Sequence, residues 1–235
     1  MTTNYSPKIV TTDLVLMLDT CNIKSYPGTG TIFKDLSGNE NNSTMFGSVP
    51  YEIEIDIVPC FNFSTITGVN TANASQGFTF SSNMVQRTGD FSFSCWIKNP
   101  PASVNQTGLF SNSGSGDGYR FGIGLNGVYF LIGPTYTEGQ ILFQSTLSAS
   151  LWYNVVCVFS RTTAQVLIYL NGIFQNLASV PSSQTEFVNA TPGLVRGVCC
   201  SLYNGKLSTF YVYNKSLSSS EVLQNFNALK SRFNI

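Results

Sequence analysis

Three carboxylates alternate with isoleucines in the segment Tyr51–Val58, as Glu52, Glu54 and Asp56. Alternate residues of a β-strand point to the same side, so an extended segment would place these carboxylates on one face. Two carboxyl groups on one face, one acting as acid and the other as nucleophile or base, are the machinery of glycoside hydrolysis. The segment therefore predicts either a catalytic strand or a half-exposed strand whose carboxylates face water.

Histidine is absent from the 235 residues. Its absence excludes Ser-His-Asp and Cys-His catalysis, zinc sites that use histidine, and a histidine pH switch. The 12 basic and 12 acidic residues give a net charge of zero, without the clustered lysines and arginines that a nucleic-acid partner needs. No apolar run approaches the ~20 residues that a membrane-spanning helix requires. We therefore expect neither a nucleic-acid partner nor a membrane span.

Oxygen-bearing side chains are frequent in the turn-rich segments of the N-terminal third. Calcium prefers six to eight oxygen ligands from carboxylates, amides and loop carbonyls. The candidate calcium ligands are Asp19, Asn22 and Asp35. The alternative is that these side chains cap turns by accepting hydrogen bonds from nearby backbone N–H groups, as Asp and Asn commonly do in a D-L-S-G-N sequence. Calcium is the one cofactor that the sequence suggests, and no other is expected.

The segment Ser111–Arg120 is rich in glycine and serine and also holds an aspartate, a tyrosine and an arginine. Loops at the end of a β-sandwich recognise sugars by stacking them on an aromatic ring among polar groups. On that pattern, the carbohydrate-binding candidates are Asp117, Tyr119, Arg120, Asn126 and Tyr136. The alternative is an ordinary hairpin connection without a ligand.

The chain has six cysteines, at positions 21, 60, 95, 157, 199 and 200. Cys95 and Cys157 lie in apolar runs, where a thiol packs as a small hydrophobic side chain. There is no C-x-x-C spacing, and the N-terminal residues lack the apolar region of a secretion signal. We therefore expect six free thiols in a protein made in a reducing compartment, and the redox state of the adjacent pair Cys199 and Cys200 stays open.

Short β-rich runs alternate with clusters of glycine, asparagine, serine and proline, which is typical of an antiparallel sandwich. The alternation in Phe91–Ile97 assigns four side chains to the core, namely Phe91, Phe93, Cys95 and Ile97. Both faces are apolar in Val155–Phe159 and Phe210–Tyr213, so we expect these to be central strands covered on both sides. Asn126-Gly127 and Asn171-Gly172 are predicted hairpin turns, because both residue types adopt a positive φ readily. The other predicted strands are Leu14–Leu18, Tyr51–Val58, Phe61–Phe63, Gly77–Phe80, Gly108–Ser111, Tyr119–Leu125, Val128–Gly133 and Ile141–Gln144.

A helix is predicted over residues 218–233. Ser218 and Glu221 form a capping box, and apolar residues then follow at spacings of four, three and four, which places them on one face of a helix. These residues are Val222, Phe226, Leu229 and Phe233. No internal repeat or linker interrupts the chain, so we expect a single domain over 1–235, with 1–12 as an N-terminal arm.

Two C-terminal segments carry a family resemblance. Leu151–Gly172 contains L-W-Y-N-V-V-C-V-F-S, a polar break and Q-V-L-I-Y-L-N-G, and Gly205–Glu221 is G-K-L-S-T-F-Y-V-Y-N-K-S-L-S-S-S-E. Both segments are similar to the closing half of concanavalin A-like, laminin G-type domains. The resemblance implies an all-β fold, a jelly-roll sandwich of two antiparallel sheets with a short C-terminal helix.

The N-terminal third resembles a narrower group. Leu14–Asn39 is L-V-L-M-L-D-T-C-N-I-K-S-Y-P-G-T-G-T-I-F-K-D-L-S-G-N. It is similar to the opening of laminin G-like domains in virion proteins of large double-stranded DNA viruses and marine phages, with Phe33 where that group usually has tryptophan. The tail Gln224–Phe233 also resembles that group. The resemblance implies a virion protein made in the host cytoplasm, present in multiple copies and in contact with other virion proteins.

The carboxylate segment has a resemblance of its own. Glu54-Ile55-Asp56-Ile57 is similar to the first half of the E-I-D-I-x-E strand that carries the catalytic carboxylates of family 16 glycoside hydrolases, which share the jelly roll. The position of the acid falls on Val58 or Pro59, and neither side chain can donate a proton. We therefore expect no catalytic residue and no enzyme.

Three hypotheses follow for the function. The first is a non-enzymatic virion structural protein, as a minor capsid, decoration or fibre component, whose sandwich is an interaction module. The alternative is a carbohydrate-binding module that acts in host attachment. The two roles are compatible, because one face of a sandwich can bind glycan while another face docks. The third hypothesis is a glucanase, but the sequence has no proton-donating side chain at the position of the catalytic acid.

Overall fold

Most of the predicted runs are strands in the structure, a computed structural model. The structure describes residues 7–53, 57–63, 76–80, 89–98, 107–111, 119–124, 127–132, 141–144, 147–180, 194–195 and 203–235. The strands are β1 (Leu14–Asp19), β2 (Ile32–Phe33), β3 (Ser43–Phe46), β4 (Tyr51–Ile53), β5 (Pro59–Asn62), β6 (Gly77–Phe80), β7 (Phe91–Lys98), β8 (Thr107–Ser111), β9 (Tyr119–Gly124), β10 (Gly127–Ile132), β11 (Ile141–Gln144), β12 (Trp152–Ser160), β13 (Gln165–Leu170), β14 (Ile173–Ser179), β15 (Leu194–Val195) and β16 (Lys206–Tyr213). An α-helix, α1 (Ser219–Leu229), and a 3₁₀ helix (Lys230–Phe233) follow β16.

The described strands form two antiparallel sheets of eight strands each. The first, called the helix-side sheet because α1 packs on it, has the order β14-β13-β12-β7-β16-β5-β4. In this sheet β1 pairs with the part of β16 that β5 does not reach. The second, called the outer sheet, has the order β11-β10-β9-β8-β15-β6-β3-β2. This arrangement confirms the predicted all-β jelly-roll sandwich with a short C-terminal helix.

The core between the two sheets is aromatic. The four β7 side chains that the alternation assigns to the core are all fully buried there, as predicted. The ring of Phe93 lies 5.1 Å from that of Phe110 and 5.2 Å from that of Tyr119, both in the outer sheet. Aromatic pairs at such distances stabilise a fold by about 0.5–1.5 kcal/mol each beyond the burial of their area. These contacts therefore hold the two sheets together.

The opposite face of the helix-side sheet is buried as well, beneath α1 and the 3₁₀ helix. Trp96 of β7 stacks on Phe233, with ring centroids 3.9 Å apart and ring planes 4° apart. Val156 of β12 and Tyr211 of β16 belong to the same apolar cluster. Burial on both faces explains why β12 and β16 lack a clean alternation, and it confirms the prediction that they are central strands.

Helix α1 begins with the predicted capping box. The N–H of Glu221 donates to Ser218 Oγ at 3.3 Å, and the N–H of Ser218 donates to Glu221 Oε2 at 2.9 Å. The single helix predicted over 218–233 is instead α1 followed by the tighter 3₁₀ helix. Such a change is frequent at a helix C-terminus, where the last carbonyls lack intrahelical partners. Here Lys230 O accepts from the N–H of Asn234, whose φ is +57°.

The expected N-terminal arm is described from residue 7 onward, where it lies against α1. The N–H of Val10 donates to Asn225 Oδ1 at 2.8 Å, and Gln224 Nε2 donates to Lys8 O at 2.7 Å. The hydroxyl of Tyr213 donates to Val10 O at 3.2 Å. These hydrogen bonds tie the described part of the arm to the C-terminal helix.

The strand predicted over Tyr51–Val58 is too long. Strand β4 ends at Ile53, and residues 54–56 lie outside the described residues. Ile57 has a φ of +66°, a left-handed conformation that interrupts a β-strand. The described backbone therefore does not carry the three carboxylates along one continuous strand.

The two predicted hairpin turns have different outcomes. Asn171 and Gly172 have φ values of +51° and +77° and connect β13 to β14, which confirms that turn. Gly127 is instead the first residue of β10 and pairs with Gly124 of β9. Gly127 is therefore a strand residue rather than a turn residue, and Asn126 lies outside the described residues.

The described cysteines include three free thiols, those of Cys21, Cys95 and Cys157. Cys95 and Cys157 are fully buried in the core, and burial raises the pKa of both thiols. Cys199 and Cys200 lie outside the described residues. Among the helices of the described chain, none is long and apolar enough to cross a membrane.

Removal of the Phe233 ring tests whether the 3₁₀ helix closes the helix-side sheet. Phe233 is 3% exposed and contacts both tryptophans, Trp96 at 3.9 Å and Trp152 at 5.2 Å between ring centroids. We expect Phe233→Ala to lower the free energy of unfolding by about 3–5 kcal/mol in urea denaturation, because it leaves a cavity against Trp96. The nearby Ile235→Ala is the control, since Ile235 is 47% exposed. Equal losses for both variants would contradict the stacking role.

Candidate functional site

The connection between β1 and β2, residues 20–31, is called here the opening loop, and hydrogen bonds fix its backbone. Ser25 Oγ donates to Lys34 O at 2.6 Å, and the N–H of Lys34 donates to Ser25 O at 2.8 Å. The carbonyl of Asn22 accepts from the N–H of Ser25 at 2.8 Å, which closes a turn. The N–H of Met45 on β3 donates to Thr31 O at 2.7 Å. The loop is therefore attached at several points along its length.

Tyr26 anchors the middle of the opening loop in the core. Its ring is 4% exposed and packs against Phe33, Tyr51 and Phe61, with centroids 5.9, 5.1 and 4.8 Å away. Its hydroxyl donates to the carbonyl of Gly30 at 2.9 Å. One side chain thus fixes the loop through packing at the ring and through a hydrogen bond at the hydroxyl.

The opening loop encloses a surface hollow of ≈ 480 Å³ beside β2, the edge strand of the outer sheet. The hollow is lined by Ile23, Lys24, Pro27, Thr29, Gly30, Thr31, Ile32 and Lys34. Among these described residues two are lysines and none is acidic. Ile23 and Ile32 are 80% and 42% exposed, so the hollow also offers apolar surface to a ligand. This group of residues is called the opening-loop hollow.

Asp35 fixes the backbone immediately after the hollow. Its Oδ1 accepts from the N–H groups of Met17 and Ser37, both at 2.8 Å. Its Oδ2 accepts from Ser37 Oγ at 2.7 Å and from the N–H of Asn41 at 3.0 Å. These four hydrogen bonds are the turn-capping arrangement that the sequence left open as the alternative to calcium.

The other two candidate calcium ligands also accept hydrogen bonds. Asp19 is 1% exposed, and its two oxygens accept from the N–H of Cys21 at 2.9 Å and from Arg232 Nη1 at 2.7 Å. Burial opposes the charge of Arg232, yet the Asp19 carboxylate raises the pKa of the guanidinium. Asn22 Oδ1 accepts from the N–H of Lys24 at 3.0 Å. Within the described ranges no three Cys, Asp or Glu side chains form a group that could hold a metal ion, and calcium stays a prediction.

Comparison with known proteins places this sandwich in a family. Residues 71–223, more than half of the chain, match the family described as the concanavalin A-like lectin/glucanases superfamily. The chain belongs to this superfamily. No curated protein sequence matches the chain.

The solved structures that the chain resembles include toxin binding domains. The binding domain of Paraclostridial Mosquitocidal Protein 1 superposes with a TM-score of 0.68 and 18% sequence identity, over 92% of this chain and 52% of that chain. The binding domain of botulinum neurotoxin DC in complex with rat synaptotagmin II superposes with a TM-score of 0.67 and 17% sequence identity, over 92% of this chain and 52% of that chain. The third structure is of botulinum neurotoxin type C, a toxin whose cell entry depends on two ganglioside molecules. It superposes with a TM-score of 0.66 and 15% sequence identity, over 92% of this chain and 51% of that chain. The chain spans about half the length of these proteins, and at such identities the likeness shows the fold.

The superfamily includes glucanases, but Glu52 does not have the environment of a catalytic acid. Its carboxylate forms an ion pair with Lys206 and accepts from Asn62 Nδ2 at 2.9 Å. Partial burial raises the pKa of Glu52, but these two partners outweigh burial and hold the pKa below its usual value. A general acid needs the opposite shift. Glu54 and Asp56 lie outside the described residues.

Tyr119 is not a sugar-stacking platform, which corrects the expectation for this residue. It is 1% exposed, and its ring packs in the core against Phe91 and Phe93. The signal was present in the sequence, because Phe121 and Ile123 alternate with Tyr119 on the inward face of β9. Arg120 is the next residue of β9. The other carbohydrate candidates lie outside the described residues, namely Asp117, Asn126 and Tyr136, and their role stays a prediction.

The sequence did not point to the opening-loop hollow as a site. Its motif S-Y-P-G-T-G-T served only as a sign of family resemblance and of a turn-rich loop. Lys24 and Lys34 are ten positions apart, and the paired hydrogen bonds between Ser25 and Lys34 bring their backbones together. A pair of lysines at the two ends of a glycine-rich loop is the signal that could have suggested the site.

The role of Asp35 can be separated from calcium binding. We expect Asp35→Asn to lower the free energy of unfolding by about 1–3 kcal/mol, because an amide nitrogen cannot accept the hydrogen bonds that one carboxylate oxygen accepts now. Urea denaturation in EDTA and in calcium chloride should give the same loss. Asp13→Asn is the control, since Asp13 is exposed. A loss that occurs only in calcium chloride would show that Asp35 binds calcium.

Proposed function

We propose that this chain is a non-enzymatic binding module that recognises carbohydrate through the opening-loop hollow. The observation that carries the proposal is the fixed shape of the hollow, whose loop is held by the buried Tyr26 and by hydrogen bonds along its backbone. Sugars present both hydroxyls and apolar C–H faces. The hollow is lined by the hydroxyl-bearing Thr29 and Thr31 and by the apolar Ile23 and Ile32. A pre-formed site with both kinds of group suits such a ligand.

The family and the similar structures support a binding role. The superfamily description names lectins, and the similar toxin structures are binding domains. One of those toxins depends on two ganglioside molecules for cell entry, and the binding domain of another is in complex with rat synaptotagmin II. These ligands belong to those whole proteins, of which this chain spans about half, and they support recognition as the role proposed for this chain.

We further propose that the module is part of a virion, as a minor capsid, decoration or fibre component made in the host cytoplasm. The opening motif Leu14–Asn39 supports this context through its resemblance to virion proteins. In this role the hollow serves host attachment, and a second surface docks on neighbouring virion subunits.

Strand β14 offers that second surface. It is the end strand of the helix-side sheet and contains no charged residue. Phe174 and Leu177 lie opposite Tyr169 and Leu167 of β13 and therefore share one face, and each is 46% exposed. Exposed apolar side chains that lie together mark interaction surfaces. Two of the backbone groups already have side-chain partners, since Gln175 Nε2 donates to Ile173 O and the N–H of Leu177 donates to Asn176 Oδ1. A virion subunit would therefore pack on the side chains of β14 rather than extend the sheet.

Carbohydrate recognition can be tested on a glycan array. We expect the wild-type chain to bind at least one glycan, and Thr29→Trp to abolish binding because an indole would fill the hollow. Thr29 is exposed, so the fold should tolerate this change. Thr44→Trp is the control, since Thr44 is exposed on β3 outside the hollow. Loss of binding in Thr44→Trp alone would place the ligand on the face of the outer sheet instead.

The virion role can be tested on purified particles by quantitative mass spectrometry. We expect the wild-type chain to be present at a fixed ratio to the capsid proteins. Leu177→Lys should reduce its incorporation about tenfold or more, because docking would bury an unpaired charge. Leu151→Lys is the control, since Leu151 is 55% exposed and lies outside β14. Absence of the wild-type chain from particles would contradict the virion role and leave carbohydrate recognition standing.

A further inference from the structure

We infer that the ligand of the opening-loop hollow is an acidic oligosaccharide, one that carries carboxylate or sulfate groups. This inference rests on the proposed carbohydrate-binding function and adds the class of glycan. Lys24 and Lys34 both line the hollow, and none of its described lining residues is acidic. The hollow therefore presents two positive charges and no negative charge to a ligand.

The charges of these two lysines have no protein partner among the described residues, which distinguishes them from other cations of the chain. Lys206 and Lys215 form ion pairs with Glu52 and Glu221, and Arg232 forms one with Asp19. The two described carboxylates nearest in sequence to the hollow, Asp19 and Asp35, are engaged by Arg232 and by four hydrogen bonds, respectively. An anionic group in the hollow would be the counter-charge for both ammonium groups.

The backbone of both lysines is already in a fixed position. The N–H of Lys24 donates to Asn22 Oδ1, and both the N–H and the carbonyl of Lys34 are bonded to Ser25. A ligand would therefore order only the two side chains and not the loop. This lowers the entropy cost of binding, which otherwise offsets much of the gain from each charged contact.

The remaining lining favours an oligosaccharide over a small inorganic anion. Ile23, Pro27 and Ile32 supply apolar contacts that sulfate or phosphate cannot use, and the volume of ≈ 480 Å³ exceeds what a single such ion fills. Thr29 and Thr31 add hydroxyls that can donate to or accept from sugar hydroxyls. The combination of two cations, apolar side chains and hydroxyls matches a sugar ring that bears an acidic substituent.

Isothermal titration calorimetry on the full chain tests this inference with three kinds of probe. The acidic probes are 3′-sialyllactose and a heparin-derived hexasaccharide, the neutral probes are lactose and a panel of uncharged glycans, and sodium sulfate is the bare anion. We expect an acidic probe to bind at least tenfold more tightly than its neutral counterpart. Its affinity should fall as sodium chloride is raised, because salt screens exposed charges.

Variants of the two lysines give the sharper comparison. We expect Lys24→Ser and Lys34→Ser each to weaken binding of the acidic probe about tenfold, the size of one charge-assisted hydrogen bond. The double variant Lys24→Arg, Lys34→Arg keeps both charges and should retain most of the affinity. Lys8→Ser is the matched control, since Lys8 is exposed and does not line the hollow. An unchanged melting temperature shows that each variant is folded.

The outcomes separate this inference from the proposed function. If no glycan of either kind binds the wild-type chain, the proposed function fails and this inference fails with it. If neutral glycans bind as tightly as the acidic probes, or if neither Lys24→Ser nor Lys34→Ser weakens binding of the acidic probe, carbohydrate recognition stands and the acidic ligand is overturned. Displacement of the acidic probe by an equal concentration of sodium sulfate would likewise overturn it, because the site would then recognise a bare anion.

Discussion

The packing of the C-terminal helices on the helix-side sheet is the constraint on which the rest of the structure depends. The stack of Trp96 on Phe233 occupies the centre of that face, and the ion pair between Arg232 and Asp19 holds the 3₁₀ helix to the end of β1. The face is therefore closed to ligands. Because the other face of the same sheet forms the core, the surfaces left for a ligand are the outer sheet, the edges of the sandwich and its loops.

The opening-loop hollow takes its rigidity from the core. Tyr26 packs on Phe61, and Phe61 packs on Phe78 of the outer sheet at 4.7 Å, so the loop is joined to both sheets by one set of aromatic contacts. Interior side chains pack as densely as organic crystals and have low compressibility, so the core resists displacement of the residues anchored in it. A surface loop fixed in this way keeps its shape without a ligand, which is what affinity for a small, polar ligand requires.

The elements that the sequence predicted well are those with local causes. The capping box at Ser218, the Asn171-Gly172 turn and the alternation of β7 depend on neighbouring residues alone. The errors have tertiary causes. The positive φ of Ile57 interrupts the predicted strand, and the pairing of Gly127 with Gly124 makes Gly127 part of β10. Neither feature follows from a local sequence pattern. The hollow was not predicted because it depends on tertiary structure: it forms only when the opening loop folds back on β2.

The two proposed binding surfaces lie at opposite edges of the sandwich. Strand β14 ends the helix-side sheet and contacts β11, which ends the outer sheet on the same side. Strand β2 ends the outer sheet on the other side, where Tyr26 of the opening loop packs against Tyr51 of β4. A subunit docked on the exposed side chains of β14 would therefore leave the hollow turned away from the contact. Under the proposed function, this geometry would let one sandwich serve as an assembly component and as a carbohydrate-binding module, without any rearrangement between the two roles.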